Sequence, residues 1–511
     1  MALLPKCEAG IIGINILYAL GFLEYSFSFY LYIIFAVVLW MTFCLCLYFE
    51  LSWQQNKHFT NRTFFRPRAK PAFWTMLLFP ITLFSLLTSS VLDTTATMLI
   101  LQAGLLLVQP LFLAGILWWS QAKDIQKICI KFSAIAGLLE IPLVFFMSFH
   151  VGIDFPASTS LVLMVFGHLY TLQGLIFFLP KTFTYGEVSL VSQMMVFFTY
   201  RSCSIILQAK QNLDLPDKDE LMSTVMFCLM VAVVIFHFFP DPLNASRFYG
   251  TYIGIGIVFA IYWFARLYPY NLQAIISNFD ISVSKVCLLL YWCVWAGFAI
   301  KVVINYNTSK DPTTTIVRKY FHLVMVGVYF PGLLIDTQFL SLAASLAFAI
   351  LLGLEQVRMY KVPPFGSLLH KSLSIFLDDK DTGPFFVTHI YLLIGFSVPV
   401  WLSATNAILH THYVSAFAGF LSLGIGDSAA STFGSKFGKI KLSGTSKTFE
   451  GTLFSIIAQL IFVWYLSFMV HFPINLRLVF TIAITSLYEA FTDQIDNLVL
   501  PLLIFPFLNL L

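Results

Sequence analysis

GDSAASTFGSKFGKIKLSGTSKTFEGTLFSIIAQLIFVWYLSFMVHF, residues 426–472, joins two kinds of chain without a break. Its first part, 426–452, holds five glycines, four lysines, nine Ser/Thr hydroxyls and two carboxylates; its second part, 453–472, is an apolar run. A run of about 20 such residues is what a helix needs to cross a hydrocarbon core of roughly 30 Å. Similar runs recur outward from this one, at 26–49, 72–91, 95–119, 129–151, 159–179, 221–239, 248–268, 283–305 and 389–409. Shorter or weaker ones lie at 10–23, 187–207, 320–335, 338–354, 411–425, 476–491 and 494–511. The 511 residues are 59% hydrophobic and 11% charged, with mean hydropathy +0.85; a soluble domain has roughly 25% charged residues. The pattern predicts an all-α, polytopic integral membrane protein with about 14 to 17 transmembrane helices.

The first apolar run lacks a basic leader and an A-x-A site, so the first helix is expected to stay as an anchor. Eight cysteines (7, 44, 46, 129, 203, 228, 287 and 293) fall almost all inside apolar runs without CxxC spacing and read as packing residues. The net charge of +4 is small, but its distribution is informative. The loop 57–70 carries five Lys/Arg and no Asp/Glu, so this loop and the lysine-rich 426–452 stretch are expected on the cytoplasmic side.

By composition the chain has two regions. Residues 1–305 form a multi-span membrane region, interrupted by a polar insert, KTFTYGEVSLVSQ (181–193), and an acidic connector, NLDLPDKDE (212–220). Residues 306–511 gather ionisable residues at loops and helix ends and are expected to carry the chemistry, with a nucleotide-binding loop at 426–452.

In that loop, small residues let backbone N–H groups face an anion and the lysines supply charge, so phosphate is the natural guest. A basic loop touching lipid headgroups is the alternative. A Walker P-loop is excluded, because Lys441 and Ser446 stand where its two glycines would be. Asp427 follows an apolar helix and offers the hard oxygen that a phosphate-bound Mg²⁺ needs. Glu489, Asp493 and Asp496, spaced four and three apart, are expected on one helix face, as a metal or substrate-hydroxyl site or as a wetted interfacial surface. Arg318 and His322, at i and i+4 in RKYFH, would share a face able to hold a phosphate, or mark a membrane boundary. Asp378, Asp379 and Asp381 read as a metal site or an acidic turn capping the next helix. Glu355 and Arg358 most simply pair.

With RKYFH, GDSAASTFGSKFG, GTSKTFEGT and YEAFTDQIDNLVLP in order, residues 310–511 resemble the dolichol kinases, polytopic endoplasmic reticulum enzymes of the polyprenol kinase family, with support from TYGEVSLVSQ. The resemblance implies transfer of the γ-phosphoryl of CTP to the terminal hydroxyl of dolichol, with the loop facing the cytosol; no nucleic-acid partner is expected. It carries the family's CTP loop onto Gly426, Asp427, Ser428, Ser431, Gly434, Lys436, Gly438 and Lys439, continuing through Gly444, Lys447, Thr448, Glu450 and Gly451. It carries the acidic motif onto Glu489, Asp496 and Asn497. On this basis Lys436, Lys439 and Lys447 would hold phosphates, Asp427 and Asp496 would hold Mg²⁺, and Asp427, Lys447, Glu489 and Asp496 form the catalytic set. A lipid cytidylyltransferase, another prenol kinase and, remotely, a transporter stay open as alternatives.

Of three sequons, at Asn61, Asn244 and Asn307, Asn61 lies in the basic loop and is expected to carry no glycan. An endoglycosidase-sensitive mobility shift lost in Asn61→Gln would place that loop on the opposite face of the membrane.

Overall fold

The computed structural model describes residues 3–21, 29–53, 64–119 without 68 and 87–92, short pieces between 131 and 153, 155–211, 215–275 without 239–244 and 272, 282–308, 315–374, 377, 380–404, 414–442, 445, 447–470, 472–492 and 494–511. Asn61, Cys129, Asp378 and Asp379 lie outside them. The described residues are helical; the one trace of pairing among them is an antiparallel bridge between Lys441 and Thr448. Among them, 8 helices are long and apolar enough to cross a membrane, from Phe35–Ser52 to Phe449–Val470. Shorter apolar helices include Cys7–Leu20, Thr75–Ser85, Lys319–Ile335, Val387–Ser403 and Asp496–Asn509. The chain is thus an all-helical, multi-pass membrane protein.

The division at residue 305 is one of composition. Packing groups the chain into two compact units, one of Met1–Phe197, Thr382–Pro384 and Asn406–Leu511, the other of Phe198–Asp381 and Phe385–Thr405.

The first unit is built around two short apolar helices, Thr75–Ser85 and Asp496–Asn509, the former buried at every residue and the latter at every residue after its first. Both contain prolines: Pro80 in one, Pro501 and Pro506 in the other. A proline inside a helix has no N–H for the carbonyl four residues earlier, and in a dry interior that carbonyl needs another donor. Pro80 frees the carbonyl of Met76, and Pro110 of helix Asp93–Trp119 frees that of Leu106. The side-chain amide of Gln193 donates to both, at 2.9 and 3.0 Å. Pro506 frees the carbonyl of Leu502, which accepts from the Thr82 hydroxyl at 3.3 Å. Asn15 and Asn509 make the same kind of tie, to the carbonyls of Leu503 (2.9 Å) and Ser85 (2.6 Å).

The polar insert 181–193 anchors this assembly. Glu187 is fully buried and takes two bonds from the Arg66 guanidinium, at 2.9 and 2.6 Å, while Arg66 also donates to the carbonyl of Thr182 at 3.0 Å. A bidentate, hydrogen-bonded pair of this kind is what a buried charge requires.

In the second unit Glu355 and Arg358 pair as their spacing suggested, at 2.5 Å, and Arg358 lies 3.4 Å over the ring of Phe386. Asp381 caps the helix Val387–Ala404 by accepting from the backbone of Val387 (2.9 Å) and Thr388 (3.2 Å). Of the acidic turn, the described carboxylate Asp381 is a cap.

Replacing Gln193 by Leu leaves two buried carbonyls without donors and should destabilise the unit by about 1 to 3 kcal/mol for each. Pro110→Ala restores an N–H for Leu106 and should recover part of that loss. The comparison is thermal stability in detergent of the single and double variants; no recovery would show that Gln193 acts through packing alone.

Candidate active site

Three separate stretches of the first unit bring carboxylates together. The first is a π-helical turn, Phe420–Asp427, which runs straight into the helix Ser428–Phe437. Such wider turns commonly mark functional positions, because they displace one residue from the regular ladder. Here the displaced end is Asp427, which is 7% exposed.

The second and third stretches meet at a break. The sequence pattern expected Glu489, Asp493 and Asp496 on one continuous helix; instead one helix ends at Phe491 and the next starts at Asp496. Thr492 is extended (φ −88°, ψ 140°), as is Ile495 (φ −73°, ψ 105°), and the Thr492 hydroxyl accepts from the backbone N–H of Gln494 at 3.2 Å. A threonine that bonds the backbone locally offers an alternative to the helical ladder. Glu489 therefore sits in the last turn of one helix and Asp496 at the first position of another, where the helix dipole favours an acid. Asp493 lies outside the described residues.

One carboxylate oxygen from each of Asp427, Glu489 and Asp496 lies within 4.8 Å of the other two. Lys447 reaches in from the glycine-rich connection, its Nζ 2.5 Å from Glu489 Oε1 and 3.4 Å from Asp496 Oδ2. It also donates to the backbone carbonyl of Glu489. Burial alone would lower the pKa of this lysine, but the charges of Asp496 and Glu489 outweigh it and hold the pKa above the ordinary lysine value. The group stays cationic at any working pH. Asp496 Oδ1 is buried and accepts no hydrogen bond among the described residues. Three converging carboxylates, one with an unsatisfied buried oxygen, suit a small divalent cation with oxygen ligands.

The connection itself is more ordered than a loop. Residues 428–437 are helical, so most of their backbone N–H groups serve the helix and do not face outward. The helix packs against Phe449–Val470 where small residues allow it: a Cβ on Gly451 would lie 2.8 Å from the carbonyl of Ala430 and 3.1 Å from Gly434 Cα. Past Gly438 the chain turns back through the Lys441–Thr448 bridge, and the backbone N–H of Ile440 donates to both oxygens of Glu450 at 3.1 Å. Lys436 and Lys439 are exposed, while Ser431 and Thr448 are half-buried.

A family model described as dolichol kinase matches residues 127–461. Curated dolichol kinases are similar over most of their length: that of Bos taurus is 33% identical over 401 residues, 72% of either chain, and that of Mus musculus 34% identical over 398 residues, 72% of either chain. The Saccharomyces cerevisiae dolichol kinase is 32% identical over 169 residues, 33% of this chain and 30% of its own. This chain belongs to the dolichol kinase family. No solved structure matches it.

The family match takes in Asp427 and Lys447 but ends before Glu489 and Asp496, which the fold brings to the same place. Asn497, next to Asp496 in the first helical turn, is buried. Gly444 and the side chain of Arg318 lie outside the described residues. His322 is buried in the second unit. Sequence reading passed over Gln459, Ser455 and Ser486, which form a buried hydrogen-bonded set in this unit. The available signal was a lone amide in an otherwise apolar span, a costly placement that usually has a purpose.

Lys447→Met leaves three clustered acids without their cation. In EDTA the variant should melt about 1 to 2 °C below the parent in detergent, the shift that a loss of one to two kcal/mol gives in a chain of this size. Added Mn²⁺ should close most of that gap. A gap that Mn²⁺ does not change would argue against a cation site.

Proposed function

We propose that the protein transfers the γ-phosphoryl group of CTP to the terminal hydroxyl of dolichol, giving dolichyl phosphate and CDP. The observation that carries this reading is the convergence of Asp427, Glu489 and Asp496 on Lys447, beside a basic connection, in a multi-pass chain of the dolichol kinase family. Phosphoryl transfer asks little covalent work of a protein and depends on in-line positioning and charge neutralisation.

On this reading Lys436 and Lys439 attract and hold the nucleotide's phosphates from the exposed side of the connection, and Lys447 holds phosphate oxygens deeper in. Asp427 and Asp496 would hold Mg²⁺, with Glu489 beside them. The ion supplies charge neutralisation at the phosphates. Glu489 is set to orient the dolichol hydroxyl and accept its proton as the oxygen attacks the γ-phosphorus and the bond to the β,γ-bridging oxygen breaks. The apolar helices keep the long lipid in the bilayer while its hydroxyl meets a water-soluble nucleotide at the boundary. CTP is a cytosolic metabolite, so the basic connection would face the cytosol from the endoplasmic reticulum membrane, where dolichyl phosphate serves as the lipid carrier of protein glycosylation. Shorter apolar helices other than Thr75–Ser85 and Asp496–Asn509 would add further spans to the long ones.

Asp427→Asn and Asp496→Asn each keep size and most hydrogen bonding but remove a charge. Each should lose at least about two orders of magnitude in initial rate with CTP, Mg²⁺ and dolichol, equivalent to about 2.7 kcal/mol. The double variant should be little worse than the worse single one, since residues acting as a unit are strongly non-additive. Near-native turnover in Asp427→Asn would remove the proposed site, and release of pyrophosphate in place of CDP would make the enzyme a cytidylyltransferase.

A further inference from the structure

One buried side chain touches the supports of two of the three carboxylates. Gln459, in the apolar helix Phe449–Val470, is 2% exposed. Its Nε2 donates to Ser486 Oγ at 3.0 Å and to Ser455 Oγ at 3.2 Å, and these two hydroxyls are 3.2 Å apart. Ser486 precedes Glu489 by three residues in the same helix, so the two share a face. The same Nε2 lies against Gly426, the residue before Asp427: a Cβ there would come within 2.7 Å of Gln459 Nε2 and 3.2 Å of the Leu421 carbonyl. A side chain at 426 would collide with the amide, so this close approach requires glycine there.

An amide inside a membrane-spanning helix is costly, and its hydrogen bonds offset that cost only in part. A leucine would fill the same volume without penalty. What a leucine would lack is the hydrogen bond to Ser486, one turn before Glu489, made by the same amide that packs against Gly426 in the π-turn that delivers Asp427.

We infer that Gln459, bonded to Ser486 and seated on Gly426, is a positioning residue that holds Asp427 and Glu489 at the separation a divalent cation needs. This rests on the metal reading given above. It assigns no contact with substrate to Gln459: the residue acts through the two acids. Loss of partners that orient ligands in this way typically costs about 10- to 100-fold in metal affinity or activity.

The test is Mn²⁺ binding by the purified full-length protein in detergent, followed by electron paramagnetic resonance without nucleotide or lipid. Gln459→Leu and Ser486→Ala should each raise the half-saturating Mn²⁺ concentration about tenfold, the lower end of what such partners contribute. Ser486→Thr keeps the hydroxyl and should bind as the parent does. The double variant Gln459→Leu/Ser486→Ala should be no weaker than the weaker single one, because one bond is lost in each. Unchanged binding in Gln459→Leu, with binding abolished in Asp427→Asn, overturns this inference and leaves the metal reading standing. Unchanged binding in Asp427→Asn overturns both. If Gln459→Leu does not fold, the Ser486→Ala and Ser486→Thr pair decides the matter: equal binding by the two would count against the link.

Discussion

A carbonyl oxygen released by a proline inside a water-free protein must find another donor, and the first unit is organised by how it meets that demand. Gln193 answers two such carbonyls from two helices with one amide, at 2.9 and 3.0 Å. This single group holds the helices Thr75–Ser85 and Asp93–Trp119 in register. Its own position follows from the Arg66–Glu187 pair at the start of its helix. With these ties in place, helices of 11 and 14 residues can lie buried among their neighbours although neither is long enough to cross a bilayer alone.

The site depends on those short helices. A helix that need not reach both surfaces can begin within the protein, and Asp496 stands at such a beginning. The preceding helix ends at Phe491, so its last turn and the next helix's first turn point Glu489 and Asp496 toward a common place. Backbone without helical bonding is tolerated at membrane depth only where protein surrounds it. The carbonyls of Leu502 and Leu503 in the second of these helices accept from Thr82 and Asn15, so the N-terminal part of the chain helps to hold the helix that carries Asp496. This gives the first 86 residues a structural connection to the acids at the other end of the chain.

The helical class was legible because apolar runs report directly on span length. The acids and the lysine were legible too, because ionisable residues stand out in a chain with so few of them. The pairing of Glu355 with Arg358 followed from spacing alone, whereas spacing left the turn at Asp381 open between a metal site and a cap, and its bonds to Val387 and Thr388 make it a cap. The break between Phe491 and Asp496 was not legible: the i, i+4, i+7 pattern fits one uninterrupted helix, and only the competing bond from Thr492 and the extended Ile495 decide otherwise. Nor did residues 428–437 announce a helix, since their glycine and serine content is that of a loop; the close approach to Phe449–Val470 at Gly434 and Gly451 overrides that weak preference. Gln193 looked like part of a polar insert. Its meaning lies in prolines 80 and 110, distant in sequence, and no local pattern connects them.

The charges at the site do not balance within the chain. Three carboxylates face one ammonium group, a surplus of two negative charges when all three acids are ionised. The raised pKa of Lys447 means that its stabilising contribution is complete below the ordinary lysine pKa and is lost only as pH rises through the still higher folded value. No working pH reaches that window, so titration of the lysine cannot relieve the surplus. Protonation of an acid or arrival of a cation can, and a divalent cation matches the surplus in sign and size. On the proposed function a nucleotide would then bring negative charge of its own, which Lys447 alone is too heavily engaged to offset. The exposed Lys436 and Lys439 lie on the same connection and carry no such commitment to the three acids. Their exposure weakens any fixed contact through solvent screening, yet it suits them to raise the local concentration of an anionic nucleotide at the entrance. On that proposal the half-buried lysine and the exposed ones would serve different steps: one would belong to the charge balance of the acids, the others to the approach of the phosphates.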